Sequence, residues 1–421
     1  MAINNWQIKK IKEIASFNEL NVDRFKFKEI EYIDTASVRE GRVIEKKIMK
    51  FENSPSRAKR ILRNNDIIIS TVRPNLKHYA FVKDVRENTI CSTGFVVITP
   101  KEADPKFLYY YLTQDSFIKF LTQIAEAHTS AYPAFNPDII ENSKILLPEI
   151  NEQKDIGDVL YSIDKKIELN NVINNYLEQI SQALFKHWFI DFEFPDEQGR
   201  PYKSSGGKMV GSELGLIPIN WSVGFLGDSN LTKFIKSGIH KFSGEKIYLA
   251  TADVDNNNII NMETKITFNN RPSRANMQPI INSVWFAKMR NSKKVLFFDN
   301  YHKFELENII LSTGFSGLKV HPHALYFIWC FISNNNFEIT KDNYCIGTTM
   351  QAINNENIKK IKHIIPGNDV LIKFNELIKI LYKKINNNNL ENITLSHIRD
   401  TLLPKLITGK IRVNLEDISE G

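Results

Sequence analysis

"PSRA" stands at Pro55-Ser56-Arg57-Ala58 and returns at Pro272-Ser273-Arg274-Ala275, 217 residues later. The same shift carries Arg73 onto Arg290, Lys77 onto Lys294 and Phe81 onto Phe298. "STGF" at 92–95 returns at 312–315, and Pro105, Leu108 and Tyr109 of "DPKFLYYYL" meet Pro322, Leu325 and Tyr326 of "HPHALYFIW". "YPAFNPDIIENSKILLP" then lies over "MQAINNENIKKIKHIIP", with Ala134 on Ala352, Asn136 on Asn354 and Pro148 on Pro366. Near-constant shifts over so long a stretch identify a tandem duplication.

Each copy has two parts. Runs such as "DIIISTV", "FVVITP" and "SVWFAKM", broken by Pro, Gly and Asn, predict short strands. With the helical pattern of "PKFLYYYLTQDSFIKFLTQ" they describe an α+β domain of about 150 residues, a normal size for one core. A long helix follows. In copy one Ile156, Leu160, Ile163, Ile167, Ile173, Leu177, Ile180 and Leu184 form a stripe; copy two repeats it from Leu371 through Phe374, Ile378, Leu381 and Ile385 to Leu402. Such stripes mark a buried helix face or a coiled-coil seam. They thin at Asn170 and Asn174 and again at Asn388 and Asn392, where polar residues either fix the register or mark a solvated gap.

Composition narrows the class. The chain has 421 residues, 42% hydrophobic and 11% aromatic, so it folds, with room for two or three cores. It lacks an apolar run long enough to span a bilayer and an apolar signal core at its start, and a cytoplasmic location is expected. Cys91, Cys330 and Cys345 suit neither a disulfide framework nor a zinc site. Net charge is +7, and nine basic residues crowd between Arg39 and Arg63, including Arg57, Lys59 and Arg60, against Glu40, Glu45 and Glu52. The run is either a solvated face or a surface that neutralises phosphates.

Catalytic signatures are missing. "YKSSGGKM" fails as a phosphate loop, because Tyr202 and Met209 stand where Gly and Ser or Thr are required. His321 and His323 in "HPH" lack a second ligand pair, so no metal site is expected. No Gly-x-Ser-x-Gly elbow and no glycine-rich dinucleotide turn is present. Asp66 and Glu87 are acids that could assemble a nuclease site only through the fold. An adaptor that binds twice explains a duplication better than an enzyme does. Because duplex DNA has two-fold axes, two diverged domains would read a split, asymmetric target.

Arg73 and Arg290 follow equivalent β-runs, each with a lysine four residues on, Lys77 and Lys294. Their loops are candidates to face DNA, with arginine on a guanine edge or a phosphate; the bland alternative is a turn cap or an ion pair. Arg57 and Arg274 are either DNA contacts or parts of a structural turn. Lys293 belongs to a cationic cluster with Lys288, Arg290 and Lys294. Trp188, Phe189 and Phe192 suit core packing better than a docking face, and Trp6 and Trp221 mark one core position in each copy.

The chain resembles the specificity subunits of type I restriction–modification systems. The resemblance rests on "LLPEINEQKDIGDVLYSIDKKIELNNVIN" at 146–174, "LFKHWFIDFEFPDEQGRPYKSSGGKMVGSELGLIPINW" at 184–221 and "LLPKLITGKIRV" at 402–413. It implies an α+β chain with two tandem target recognition domains, separated by two long antiparallel, coiled-coil-like helices in a pseudo-two-fold arrangement. The expected division is recognition domain one at 1–148, a central spacer helix at 149–187 and a connector at 188–217. Recognition domain two at 218–365, a C-terminal spacer helix at 366–403 and a tail at 404–421 complete it.

By the same resemblance each domain reads half of a bipartite double-stranded DNA target, and the helices set the gap and dock two modification subunits. Restriction (motor-nuclease) subunits can join. The chain itself would be non-catalytic and without cofactor, with S-adenosylmethionine held by the modification partner and ATP and Mg by the restriction partner. A self-contained DNA-modifying or cleaving enzyme is the alternative. The family's Gly-Ser/Thr loop is present in copy two as "IGTTMQAIN", making Thr348 a DNA-binding candidate, whereas copy one reads "HTSAYPAFN", without the glycine.

Overall fold

The structure, a computed structural model, describes residues 6–23, 26–128 and 132–413. Two compact units divide the chain, residues 1–169 with 391–421, and residues 170–390.

Among the described residues, unit one contains ten principal strands. They are β1 (Gln7–Lys10), β2 (Ala15–Phe17), β3 (Glu29–Ile33), β4 (Lys47–Lys50) and β5 (Ala58–Ile61). Then come β6 (Ile67–Ser70), β7 (Tyr79–Phe81), β8 (Thr89–Ser92), β9 (Phe95–Pro100) and β10 (Lys144–Leu147). One sheet has the order β4-β3-β8-β5, the other β2-β9-β6-β7, and β1 pairs with β10. Strand β8 runs parallel to β3 and antiparallel to β5. All four residues of β6 and of β8 are buried, which is why Ile67, Ile68 and Ile69 form an unbroken apolar run and not an alternating one.

Helices α1 (Pro105–Thr113) and α2 (Asp115–His128) pack on the second sheet; Asp104 caps α1 by accepting from the Lys106 and Phe107 amides, with Pro105 in the first turn. The first half of α3 (Ile150–Phe189) crosses this cap. A Cβ on Gly157 would come within 2.8 Å of the Asp104 carboxylate, so glycine permits the close approach.

Unit two repeats the plan strand for strand. Its first sheet joins β13 (Lys246–Leu249), β14 (Lys265–Ile266), β15 (Ala275–Met277) and β18 (Ile309–Ser312) in the order β14-β13-β18-β15. Its second joins β12 (Thr232–Phe234), β16 (Ser283–Ala287), β17 (Val295–Phe298) and β19 (Phe315–Val320) in the order β12-β19-β16-β17. Strand β11 (Ser222–Phe225) pairs with β20 (Lys362–Ile365), and the longer helices are α4 (Leu325–Ser333), α5 (Asn335–Asn343) and α6 (Asn368–Ile407).

The strand registers correct two of the sequence matches. Ile67 faces Phe81, whereas Val284 faces Phe297, so the second hairpin is one residue shorter and Phe81 corresponds to Phe297, not Phe298. Lys77 then corresponds to Lys293. Likewise α1 ends before the extended Gln114 and α4 before the extended Asn334, which pairs Tyr109 with Trp329. The match of Tyr109 to Tyr326 was one helical turn out of step, a slip that preserves an apolar stripe and is invisible to pattern.

Domain limits shift too. Leu406 and Ile407 are 2% exposed and lie in the core of unit one with Trp6, Ile11, Phe107 and Ile156. Residues 404–407 are therefore not tail: Pro404 lies inside the last turn of α6 and the helix continues past it. Trp188, Phe189, Phe194 and Ile217 lie in the core of unit two, so the two ends of the connector are core while its middle is largely exposed. Phe189 packs against Phe327 and Phe374 with ring centroids 4.7 Å apart, and Phe194 stacks on Trp221. Each unit is thus closed by half of both long helices, running antiparallel. In unit one Arg399 donates to Asp164 (2.7 Å), which also accepts from the Tyr110 hydroxyl (2.6 Å).

In unit two the asparagines meet directly. Asn388, 1% exposed, donates to Asn174 Oδ1 at 2.8 Å, and Asn174 donates to Asn389 Oδ1 at 2.8 Å. The gap in the stripe is a polar contact that holds one residue of α3 against two adjacent residues of α6, as a register device does. Asn388→Ala should lower stability by about 1–3 kcal/mol, because it leaves a buried amide oxygen without its donor. In urea unfolding of the full chain, the Asn174→Ala/Asn388→Ala pair should show a coupling of about 0.5–3 kcal/mol. Strict additivity would show that the two amides do not act together.

Candidate nucleic-acid interface

The repeated tetrapeptides meet in space. In unit one the "PSRA" turn closes with the Ala58 amide donating to the Pro55 carbonyl, and the Arg57 carbonyl accepts from Thr93 of "STGF". The Gly94 carbonyl accepts from Thr71, the Thr71 carbonyl from Phe135, and the Pro133 carbonyl from Arg73. Unit two repeats all five bonds: Ala275 to Pro272, Thr313 to Arg274, Lys288 to Gly314, Ile353 to Lys288 and Arg290 to Gln351. Four separate segments are thereby tied by main chain at one end of each unit. "PSRA" and "STGF" recur because this framework needs their turns; the exposed arginines ride on it.

Different side chains surround the two frameworks. In unit one Arg57 and Arg73 are exposed, and the Arg73 guanidinium lies 5.3 Å from the ring centre of Tyr132, itself 72% exposed. Such stacking orients an arginine without consuming its charge. Residues 129–131 lie outside the described residues, so the missing glycine of copy one has no structural counterpart to report. In unit two Arg274 and Arg290 are exposed, and Arg290 donates to the Gln351 side chain. Ile346 and Ala352 exchange two main-chain bonds (3.0 Å each) and so pinch out a loop carrying exposed Thr348, Thr349 and Met350.

The remaining candidates go elsewhere. Lys59 is exposed on β5, but Arg60 beside it is half-buried, with one guanidinium nitrogen lacking a hydrogen-bond partner and its pKa pushed down by burial. Lys77 reaches Asp115 at the start of α2 (2.9 Å), and Lys293 reaches Asn335 at the start of α5 (2.6 Å). Lys294 donates to the Thr251 carbonyl, and Lys288, its pKa lowered by burial, to that of Thr313. These lysines brace hairpins and loops. The basic run is also partly paired: Lys46 with Glu31, Lys47 with Asp34, Lys50 with Glu52 and Arg63 with Glu19.

Of the ten candidates, the fold gathers Arg57 with Arg73, and Arg274 with Arg290 and Thr348. Sequence reasoning missed Tyr132 and Gln351, the partners of the two central arginines. Their only signal was their place in the aligned segments "YPAFN" and "MQAIN".

Asp66 and Glu87 stand in different surroundings. Asp66 is 1% exposed and accepts from the Thr99 hydroxyl and the Arg63 amide, while Glu87 is exposed. His321 and His323 are adjacent, with ring centres 5.4 Å apart, and among the described residues no group of three or more His, Cys, Asp or Glu is placed to hold a metal.

Several known proteins are similar to this chain. The type I restriction modification DNA specificity domain matches residues 3–179. The HindI specificity subunit of Haemophilus influenzae is 23% identical over 97% of this chain and 100% of its own length. The MjaIX specificity subunit of Methanocaldococcus jannaschii is 26% identical over 97% of this chain and 94% of its own. The type I restriction–modification S subunit from M. genitalium has the same fold, with a TM-score of 0.54 at 14% identity, covering 96% of this chain and 98% of that one.

The pinched loop depends on one backbone conformation. Gly347 has φ +116°, and a Cβ there would lie 2.8 Å from the Met350 carbonyl oxygen. Gly347→Ala should therefore open the 346–352 loop at a cost of about 1–3 kcal/mol. Limited proteolysis should cut within that loop faster than in the parent while circular dichroism stays unchanged. Equal cleavage rates would show that the loop does not need the glycine.

Proposed function

We propose that the chain is a specificity subunit of a type I restriction–modification system and that it reads a two-part DNA target, one part with each unit. One observation carries the reading. The same five main-chain bonds present arginines at the same end of both units, while the exposed neighbours differ. A common scaffold with diverged tips is what two different half-sites require. Arg73 and Arg290 are assigned to base edges or the phosphates beside them, Arg57 and Arg274 to phosphates, and Thr348 to the pinched loop's contact.

In this reading the chain supplies no catalytic group and holds no cofactor of its own. Adenine methylation falls to two modification subunits carrying S-adenosylmethionine, and a restriction subunit with ATP and Mg completes the complex, in the cytoplasm. No helix among the described residues is long and apolar enough to cross a membrane. The long helices are assigned the gap between half-sites and the docking of partners. Support for docking comes from α3, where Val172 (44%), Tyr176 (60%) and Ile180 (47%), the last of these turned out of the buried stripe expected from the sequence, form an exposed apolar stripe at helical spacing, on a face that a solvated helix would make polar.

Arg73→Ala and Arg290→Ala should each cost about 1–3 kcal/mol and relax base preference in one half-site only, the two halves being different. Selection from randomised duplexes by the complex reads this directly. Equal weakening on every sequence would make both arginines phosphate contacts, and an unchanged profile would remove them from the interface. Separately, Tyr176→Glu should weaken co-purification with the modification subunit at least tenfold without changing the melting temperature of the isolated chain, because burying an unpaired carboxylate opposes docking. Undiminished co-purification would take the stripe out of the partner interface.

A further inference from the structure

Residues 287–292, the loop that carries Arg290, are gripped from below by α5. Lys341 of that helix is 0% exposed. Its ammonium donates to the carbonyls of Met289 (3.0 Å), Ser292 (3.3 Å) and Ala287 (3.4 Å), and lies 2.6 Å from a Glu338 carboxylate oxygen. The next residue, Asp342, accepts the Asn291 amide on its carboxylate (3.1 and 3.2 Å) and sits 3.6 Å from the same ammonium. Asn291 holds the left-handed φ of 54° that turns the chain there. Two adjacent side chains therefore hold residues 287, 289, 291 and 292, on both sides of Arg290.

Among the described residues, unit one has no equivalent. At the matching turn of α2 stand Leu121, packed in the apolar core, and Thr122, whose hydroxyl donates back to Ile118 of its own helix. The difference is informative because a buried ammonium is an expensive way to hold a loop. Apolar packing of similar volume is commonly as stable, and buried charge persists where it secures one conformation against others. A loop that presents a single arginine to one base edge gains from being ordered before it binds.

We propose that Lys341 and Asp342 are positioning residues for DNA reading by unit two, fixing the 287–292 loop so that Arg290 meets one base. The proposal rests on the role given to Arg290 above. Asp342→Ala frees one loop amide at a partly exposed position, and Lys341→Met removes the ammonium while keeping the side chain's length.

The test measures binding of the complex to duplexes varied at each target position. Asp342→Ala should lose most of the about 5- to 150-fold discrimination in the half-site read by Arg290 and leave the other half unchanged. Lys341→Met should give the same pattern, with thermal melting separating this effect from unfolding. Asp342→Asn, which keeps an acceptor for the Asn291 amide, should retain most of the discrimination. In an Arg290→Ala background, Asp342→Ala should cause no further loss. The same extra loss in both backgrounds, or full discrimination by Asp342→Ala while Arg290→Ala is defective, would overturn the positioning role alone. If Arg290→Ala itself leaves both half-sites unchanged, the reading of Arg290 fails and the positioning role goes with it.

Discussion

Burial of one apolar stripe along each 40-residue helix governs the organisation of this chain. A helix of that length owes its stability to the face it buries far more than to intrinsic propensity. Ile156 and Leu160 bury theirs in unit one, where Leu406 and Ile407 from the far end of the sequence join the same core. Phe185, Trp188 and Phe189 bury theirs in unit two beside Phe374 and Ile378. Neither recognition segment closes its core alone. The duplication is therefore more than two beads on a string: each unit is completed by helix halves from both copies, and the buried asparagine contact of unit two permits one alignment of α3 on α6.

A scaffold held in this way can afford divergent tips. The five conserved main-chain bonds use no side-chain donors, so arginine, tyrosine, glutamine or threonine can change around them without loss of the framework. Unit one orders its central arginine by laying it against an exposed tyrosine. Unit two instead pairs Arg290 with Gln351 and holds the loop beneath it with a buried lysine. The polar cost of that lysine is offset by charge pairing with Glu338 and by three carbonyl acceptors.

The duplication, the α+β character of each copy, the two long helices and the polar interruption in their stripes were all legible in the sequence, because each is a matter of periodicity or of identity at fixed spacing. Arg73 and Arg290 were legible as equivalents for the same reason. What the tertiary structure decided was every question of contact. It moved the partner of Lys77 from Lys294 to Lys293, because one residue is missing from a hairpin and the distances to α2 and α5 follow strand register, not alignment. It withdrew Arg60 into a half-buried site, turned Lys294 toward a carbonyl, and supplied Tyr132 and Gln351 as partners that no spacing rule could select. It also assigned Leu406 and Ile407 to a core that begins at Trp6. Local pattern records which face of an element is apolar; only the folded chain determines what that face, or a charged side chain beside it, finally meets.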